Sequence, residues 1–209
     1  MIVLLCIFCY LLGSLAFGKW IAAAYGVDIL REGSQTIGAT NVWRNLGWKA
    51  GLLVFILDAA KGYAAGWLGG NLPKIMISDH GYDYRLALIA GGCAVLGHSA
   101  SVFLKFKGGK SVATALGVLL SISPDVAGLS LFVFIFVLAT WRYVSLGSLS
   151  GSITTPVFAF AFGYPRFVVL TYVGLALLIT VRHRKNIERL LRGEEYKFGE
   201  AKAREGTIP

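Results

Sequence analysis

Glycines and small donor side chains crowd around one arginine in the stretch GVDILREGSQTIGATNVWRNLG, residues 26–47. Gly33, Gly38 and Gly47 frame Ser34, Thr36, Thr40, Asn41 and Arg44. Glycine lets successive backbone N–H groups turn inward as an anion nest. Hydroxyl and amide side chains add neutral hydrogen bonds, and the arginine fork matches phosphate or carboxylate. A plain polar turn capping the next helix is the simpler reading, but a turn needs few such donors.

A second polar island is GHSASVFLKFKGGKSVAT, residues 97–114. Here His98 stands near the start, and Lys105, Lys107 and Lys110 surround Gly108 and Gly109. Gly-Gly-Lys-Ser entering a helix resembles a phosphate loop locally. The full nucleotide-binding spacing fails, because residue 104 is Leu where a Gly is needed. Free N–H groups at a helix N-terminus beside ammonium charges still make an anion site. The competing reading is lysines touching acidic lipid headgroups. A third island, HRKNIERLLRGEEYK, spans residues 183–197. His183 and Asn186 lie three apart and share a helical face, while Ile187, Leu190 and Leu191 form an apolar one. That pattern predicts a short amphipathic helix on the membrane surface. Tyr143, Ser145 and Ser148 make a fourth, smaller cluster.

These islands are set in an oily chain. Of 209 residues, 56% are hydrophobic and 15% charged, yet 20 Lys+Arg against 11 Asp+Glu leave a net charge of +9. That composition excludes a disordered chain and a secreted disulfide scaffold, and argues against a soluble enzyme. Apolar segments at about 2–24, 48–70, 86–104, 111–123, 125–141, 148–163 and 165–182 predict seven transmembrane helices, followed by a tail at 183–209. The fold expected is all-α, a polytopic membrane protein forming one domain over 1–209. The first segment lacks a basic lead and a cleavage site and reads as a retained helix. The stretch 111–123 is short for a full crossing, so five to seven spans is the range.

With the N-terminus outside, the inner segments hold fifteen basic residues and the outer loops three, Lys74, Arg85 and Arg166. Asp79, His80, Asp83 and Asp125 also fall outside in that arrangement. The bias predicts N-out, C-in. Cys6, Cys9 and Cys93 all lie in apolar spans, and the C-x-x-C of Cys6 and Cys9 reads as helix packing, since a redox pair needs an exposed helix N-terminus. Gly62, Gly66 and Gly70 repeat every four residues and predict a close helix contact. Asp58 and Lys61, three apart in the second span, predict a buried ion pair beneath the site, with a proton or ion relay as the alternative.

All four islands fall on the predicted inner side. Together they imply a phosphate-bearing ligand reached from the cytoplasm, with room for an acyl chain entering from the lipid. A transporter of an organic anion is the rival class. It would be expected to show repeated halves and a mid-membrane site, which the pattern lacks. A lipid-binding scaffold explains the tail but not the glycine-rich loop. No metal, cofactor, nucleic acid or obligate protein partner is expected; carboxylates are scarce on the inner side and none cluster.

At these residues the chain resembles the bacterial acyl-phosphate:glycerol-3-phosphate acyltransferases. Gly33 to Arg44 is similar to that family's G-S-G-N-x-G-A-T-N-x-x-R, Gly97 to Lys110 to its G-H-x-x-x-x-F-x-x-F-K-G-G-K, and His183 to Leu190 to its H-x-x-N-I-x-R-L. Asp58 with Lys61-Gly62, and Tyr143-x-Ser145-Leu146, also fit. Gln35 and Thr36 stand where the family usually has Gly and Asn, Ala100-Ser101 where it has Phe-Pro, and Ser111 where Gly is common. The resemblance implies a seven-helix enzyme of the bacterial inner membrane, its active site on the cytoplasmic face. It would move an acyl group from acyl phosphate to glycerol 3-phosphate, giving lysophosphatidic acid and phosphate.

An acyl phosphate is already activated, so positioning and charge stabilisation suffice and direct attack by the glycerol hydroxyl is expected. Arg44, Lys105 and Lys110 are expected to hold the phosphates, with Lys107, Gly33, Gly38, Gly108 and Gly109 shaping the anion sites. Ser34, Thr40 and Asn41 would polarise the carbonyl or hold the leaving phosphate. His183 and Asn186 would orient glycerol 3-phosphate, with His98 and Ser145 nearby. The proton acceptor is either a histidine or a substrate phosphate.

Overall fold

The computed structural model describes residues 1–77 and 81–199. Asp79 and His80 of the predicted outer loop, and Lys202 and Arg204 of the tail, lie outside the described residues. Among the described residues all regular structure is helical: α1 Ile2–Ser14, α2 Phe17–Ala24, α3 Ala39–Leu46, α4 Trp48–Ile77, α5 Tyr84–Ser99, α6 Val112–Ile122, α7 Pro124–Trp141, α8 Val144–Ala161, α9 Arg166–Arg182 and α10 Arg184–Leu191, with a 3₁₀ turn at Val102–Leu104. Five segments are long and apolar enough to cross a membrane: Ile2–Ala24, Trp48–Pro73, Tyr84–Leu104, Pro124–Trp141 and Val144–Ala161. Counting α9 with α10, which bend by 62° at His183, makes six. Leu4, Phe8, Phe132, Phe160, Leu170 and Leu177 stand exposed on these helices, as a lipid-facing surface requires. The protein is a multi-pass membrane protein.

The first span differs from the single helix expected. It breaks at Leu15–Ala16 without a proline. A break inside a bilayer exposes carbonyls that must find donors. The Ser101 hydroxyl donates to the Ser14 carbonyl at 2.6 Å, and the Lys61 ammonium to the Leu15 carbonyl at 2.8 Å. Lys61 also meets Asp58 Oδ1 at 2.8 Å, so the predicted pair exists and its cation is shared with the broken helix.

Helix α4 is central, and its small residues set how close its neighbours come. A Cβ at Gly62 would overlap the Thr114 carbonyl oxygen, and one at Gly66 the Ser121 hydroxyl, both on the α6 side. On α6, Gly117 packs in the same way on the Ala59 carbonyl. The four-residue glycine repeat thus lies in a close contact. At one end of the bundle, Tyr164 donates to Asp125 Oδ1 at 2.7 Å, Tyr82 to the Ser121 carbonyl, and Asp83 caps α5. This end gathers the α4–α5, α6–α7 and α8–α9 connections. The opposite end gathers α3, residues 100–111, the α7–α8 turn and α10. The four polar islands therefore share one end.

Helix α6 has 11 residues, about 16 Å at the helical rise. Its start is recessed: the Ser111 hydroxyl donates to the Val95 carbonyl at 3.0 Å and lies 2.6 Å from Ser99 Oγ, about a turn below the end of α5. Residues 100–111 therefore dip into the bundle and leave a hollow at its polar end.

Candidate active site

The hollow is a cavity of about 190 Å³. Ser34, Thr40, Arg44, Lys110, Ser145, His183, Asn186 and Glu195 line its mouth. Its depth is apolar, walled by Leu116 and Leu119 of α6, Leu131 and Phe134 of α7, and Leu175 and Ile179 of α9. A second hollow of about 350 Å³ shares Ser34, Thr36, Lys110 and Asn186 and adds Arg182, Arg184, Lys185 and Arg189. A polar, cationic entrance thus opens onto an oily slot.

The first loop is built around Asn41, which is 1% exposed. Its amide nitrogen donates to the carbonyls of Ile29, Glu32 and Thr36 at 2.8–3.1 Å. Its oxygen accepts from the Ser34 N–H at 3.0 Å and from Asn45. Both ends of the amide are committed within the loop, so Asn41 positions Ser34, and the direct carbonyl contact expected of it is not available. Gly33 has φ +53°, and a Cβ there would crowd Asn41 Oδ1. Gln35 follows with φ +54°. Gly38 has ordinary extended backbone as the N-cap of α3. Ser34 Oγ lies 3.1 Å from Thr36 Oγ1, and Arg44 reaches over the Tyr196 ring, 5.2 Å from its centroid.

The second loop divides its three lysines. Lys110 Nζ donates to Asn186 Oδ1 at 2.6 Å inside the cavity. Lys105 and Lys107 are exposed and line neither hollow. The reason is local: after the 3₁₀ turn, Lys105 and Phe106 take left-handed backbone, φ 52° and 62°, and carry that limb away from the mouth. The basic groups that do stand at the mouth are Lys110 and Arg44, with Arg182 and Arg189 lining the second hollow beside them. Gly108 and Gly109 are also not an open nest. The Gly109 N–H donates to the His98 carbonyl at 3.0 Å, and Arg182 donates to both glycine carbonyls at 3.0 and 3.1 Å. The free N–H groups on offer belong to the first turn of α6, where Val112 and Ala113 line the cavity.

His98 is buried behind this loop, with Nδ1 3.5 Å from Asp58 Oδ1. A Cβ at Gly109 would overlap its Nε2. It supports the loop from beneath. Asp58 and Lys61, with side chains 3% and 1% exposed, form a buried pair between that contact and Leu15, and Asp58 and His98 also line the cavity.

His183 and Asn186 are both buried on one face at the α9–α10 bend. His183 Nδ1 lies 2.8 Å from the Ile179 carbonyl, which fixes the proton on that nitrogen and leaves Nε2 as an acceptor. Burial, and then the Lys110 charge, push its pKa down to about 4, against the pull of the Ile179 carbonyl and Glu195. Lys110 is pushed down to about 8, by burial first and then by Arg189, Arg44 and Arg182, with Glu195 opposing.

Sequence reasoning did not single out Glu195. It is 6% exposed and accepts from Ser145 Oγ at 2.9 Å, Asn186 Nδ2 at 2.7 Å and Arg189 Nε at 2.7 Å. Burial acts to raise its pKa, but these three donors outweigh it and hold the carboxyl below its ordinary value. The signal available was a carboxylate just beyond Gly193 in an otherwise basic tail. Ser148 also lines the cavity, its hydroxyl held by the Val144 carbonyl at 2.8 Å.

Fold and site together define a helical membrane protein with a cavity that is cationic at one end of the bundle and largely apolar in its interior. Among known proteins, the model of the family described as glycerol-3-phosphate acyltransferase matches residues 3–193. The chain belongs to that family. A glycerol-3-phosphate acyltransferase of Aquifex aeolicus is 45% identical over 195 residues, 93% of this chain and 97% of its own. One from Thermus thermophilus is 42% identical over 192 residues, 91% and 92% of the two chains. Two crystal structures of PlsY (YgiH), an integral membrane glycerol 3-phosphate acyltransferase, superpose with TM-scores of 0.86 and 0.84 at 44% identity. They are its glycerol 3-phosphate form, covering 95% of this chain and 96% of that one, and its lysophosphatidic acid form, covering 95% of each.

Proposed function

We propose that this protein is an acyl-phosphate-dependent acyltransferase of the bacterial inner membrane. It moves a fatty acyl group onto the sn-1 hydroxyl of glycerol 3-phosphate and releases lysophosphatidic acid and inorganic phosphate. The observation that carries this reading is the single cavity that is cationic at its mouth and apolar in its depth. A donor with a phosphate head and an acyl tail fits it in one orientation, with its carbonyl at the boundary.

The glycerol oxygen attacks the acyl carbonyl carbon, and the bond from that carbon to the bridging phosphate oxygen breaks. Arg44 and Lys110, with the α6 N-terminus, hold the phosphates and take up the charge that develops on the leaving group. Ser34 and Thr40 face the reacting carbonyl, and Asn41 holds their loop. His183 Nε2 and Asn186 orient glycerol 3-phosphate.

For the proton, this reading favours the substrate phosphate over His183. A phosphate monoester has a second pKa near 6, whereas His183 lies at about 4. In this reading the substrate phosphate takes the hydroxyl proton, while His183, held below its ordinary pKa by burial, accepts a hydrogen bond and aligns the attack.

Fatty segments enter between helices, and glycerol 3-phosphate enters from the cytoplasm, in a single domain of seven passes with N-out, C-in orientation. The test is purified protein with acyl phosphate and glycerol 3-phosphate, following lysophosphatidic acid. Product is expected with acyl phosphate and none with an acyl thioester. Folded protein without product overturns the activity, and turnover with the thioester alone overturns the donor.

A further inference from the structure

Glu195 stands outside all the polar islands' recognisable motifs and two residues beyond the segment that the family model matches. The chain is turned back to reach it. Gly193 takes φ +71°, its N–H bonds the Leu190 carbonyl, and the Glu194 N–H bonds the Arg189 carbonyl at 2.8 Å. Beyond it, Arg142 grips the Phe198 carbonyl at 3.0 Å through Nη2 and receives the Phe198 N–H at its own carbonyl. Phe198 also packs against Trp43, ring centroids 5.2 Å apart. The tail is thereby tied to α3 and to the α7–α8 turn, and Glu195 is held in the mouth.

A carboxylate accepts hydrogen bonds and donates none. Bound to Glu195, Ser145 must donate its only proton, and Asn186 must present its NH₂. An ammonium only donates, so Lys110 requires the Asn186 oxygen. One orientation of the Asn186 amide satisfies both neighbours, and Glu195 selects it. Ser145 then shows only lone pairs to the cavity. An oxygen in that state repels a phosphate oxygen and welcomes a hydroxyl proton.

We infer that Glu195 is a positioning residue that sets the hydrogen-bond polarity of the site, making Ser145 an acceptor for a substrate hydroxyl and placing the Lys110 ammonium through Asn186. The inference rests on the proposed reaction. It gives Ser145, expected only to lie near glycerol 3-phosphate, a specific part in recognising the glycerol portion of the acceptor. It also makes Glu195 the carboxylate whose charge supports the Lys110 ammonium, against Arg44 of α3, Arg182 of α9 and Arg189 of α10, with His183 at the bend beside it.

The test is Glu195→Gln in the full-length protein, compared with wild type for kcat, KM of each substrate and pH profile. The expected result is a KM for glycerol 3-phosphate raised at least tenfold, a KM for acyl phosphate changed less than threefold, and the alkaline fall in activity moved to lower pH. A merely structural residue would lower thermal stability and active fraction and leave KM and the pH limb in place; that outcome overturns the inference. If the variant is not recovered folded, Glu195→Asp takes its place. It keeps the charge on a shorter stem, so KM for glycerol 3-phosphate rises at least threefold while the alkaline limb stays. Both values unchanged overturn the inference. Wild-type protein without product would instead overturn the reaction itself.

Discussion

Lys110 is the residue through which pH reaches this site. Its pKa is pushed down to about 8, chiefly by burial, so the ammonium is complete only below that value. If it neutralises a phosphate, activity falls as pH rises through about 8 and is retained below. A pH–rate profile checks this, and a rate flat to pH 10 contradicts it. Lys110→Arg keeps its charge throughout, so whatever activity it retains loses the alkaline limb. Two other residues sit in left-handed backbone where the resembled family has Gly: Gln35 at φ 54° and Ser111 at φ 62°. Such backbone costs a non-glycine residue about 1–2 kcal/mol. Gln35 is exposed, so Gln35→Gly is expected to be neutral to stabilising by up to about 1 kcal/mol, after the entropy that glycine adds to the unfolded chain. Ser111 is buried and its hydroxyl bonds Val95 and Ser99, so in Ser111→Gly the loss of those bonds offsets the relief of strain, and no net stabilisation is expected. Thermal unfolding in detergent measures both. The sequence showed the departures themselves, but φ depends on how the loops fold and was not legible there.

Between elements, the Asp58–Lys61 pair links three helices. Lys61 bridges Asp58 on its own helix and the opened carbonyl of Leu15 between α1 and α2, while Asp58 faces His98 of α5. Removing one partner of a buried pair leaves an uncompensated charge and costs about 3–5 kcal/mol. Lys61→Met is therefore expected to lower thermal stability severely and to loosen the Gly109–Lys110 loop through His98. The double variant Asp58→Asn/Lys61→Met removes both charges and is expected to recover much of that loss. Equal damage in single and double variants contradicts the pairing argument. The pair was legible from its i,i+3 spacing in an apolar span. The helix break it serves was not, because Leu15–Ala16 carries no proline and its cause lies on α4 and beside Ser101. The loops show the same division. Which residue types gather at the polar end was legible, whereas the separation of Lys110 from Lys105 and Lys107 depends on two left-handed residues that no spacing announces.

At the scale of the molecule, the short helix α6 decides the topology. Its 11 residues span about 16 Å, well short of a hydrocarbon core of about 30 Å. A lipid-exposed helix of that length would strand polar backbone in the bilayer. Most of α6 is instead buried between its neighbours, with Thr114, Ala115, Gly117, Val118, Leu119 and Ile122 all enclosed. Irregular backbone at membrane depth is tolerated when protein rather than lipid surrounds it. The start of α6 can therefore lie recessed about a turn below the end of α5, and that recess is what opens the cavity. The charge bias of fifteen inner basic residues against three outer ones then predicts Lys107 on the cytoplasmic side and Asp125 outside. Both positions are exposed, so each can carry a single cysteine label. In intact cells a membrane-impermeant maleimide is expected to label Asp125→Cys, and to reach Lys107→Cys only after permeabilisation. If Asp125→Cys is also protected until the membrane is opened, α6 returns to the side it left. The count of crossings then falls to six, which places both termini on the same side.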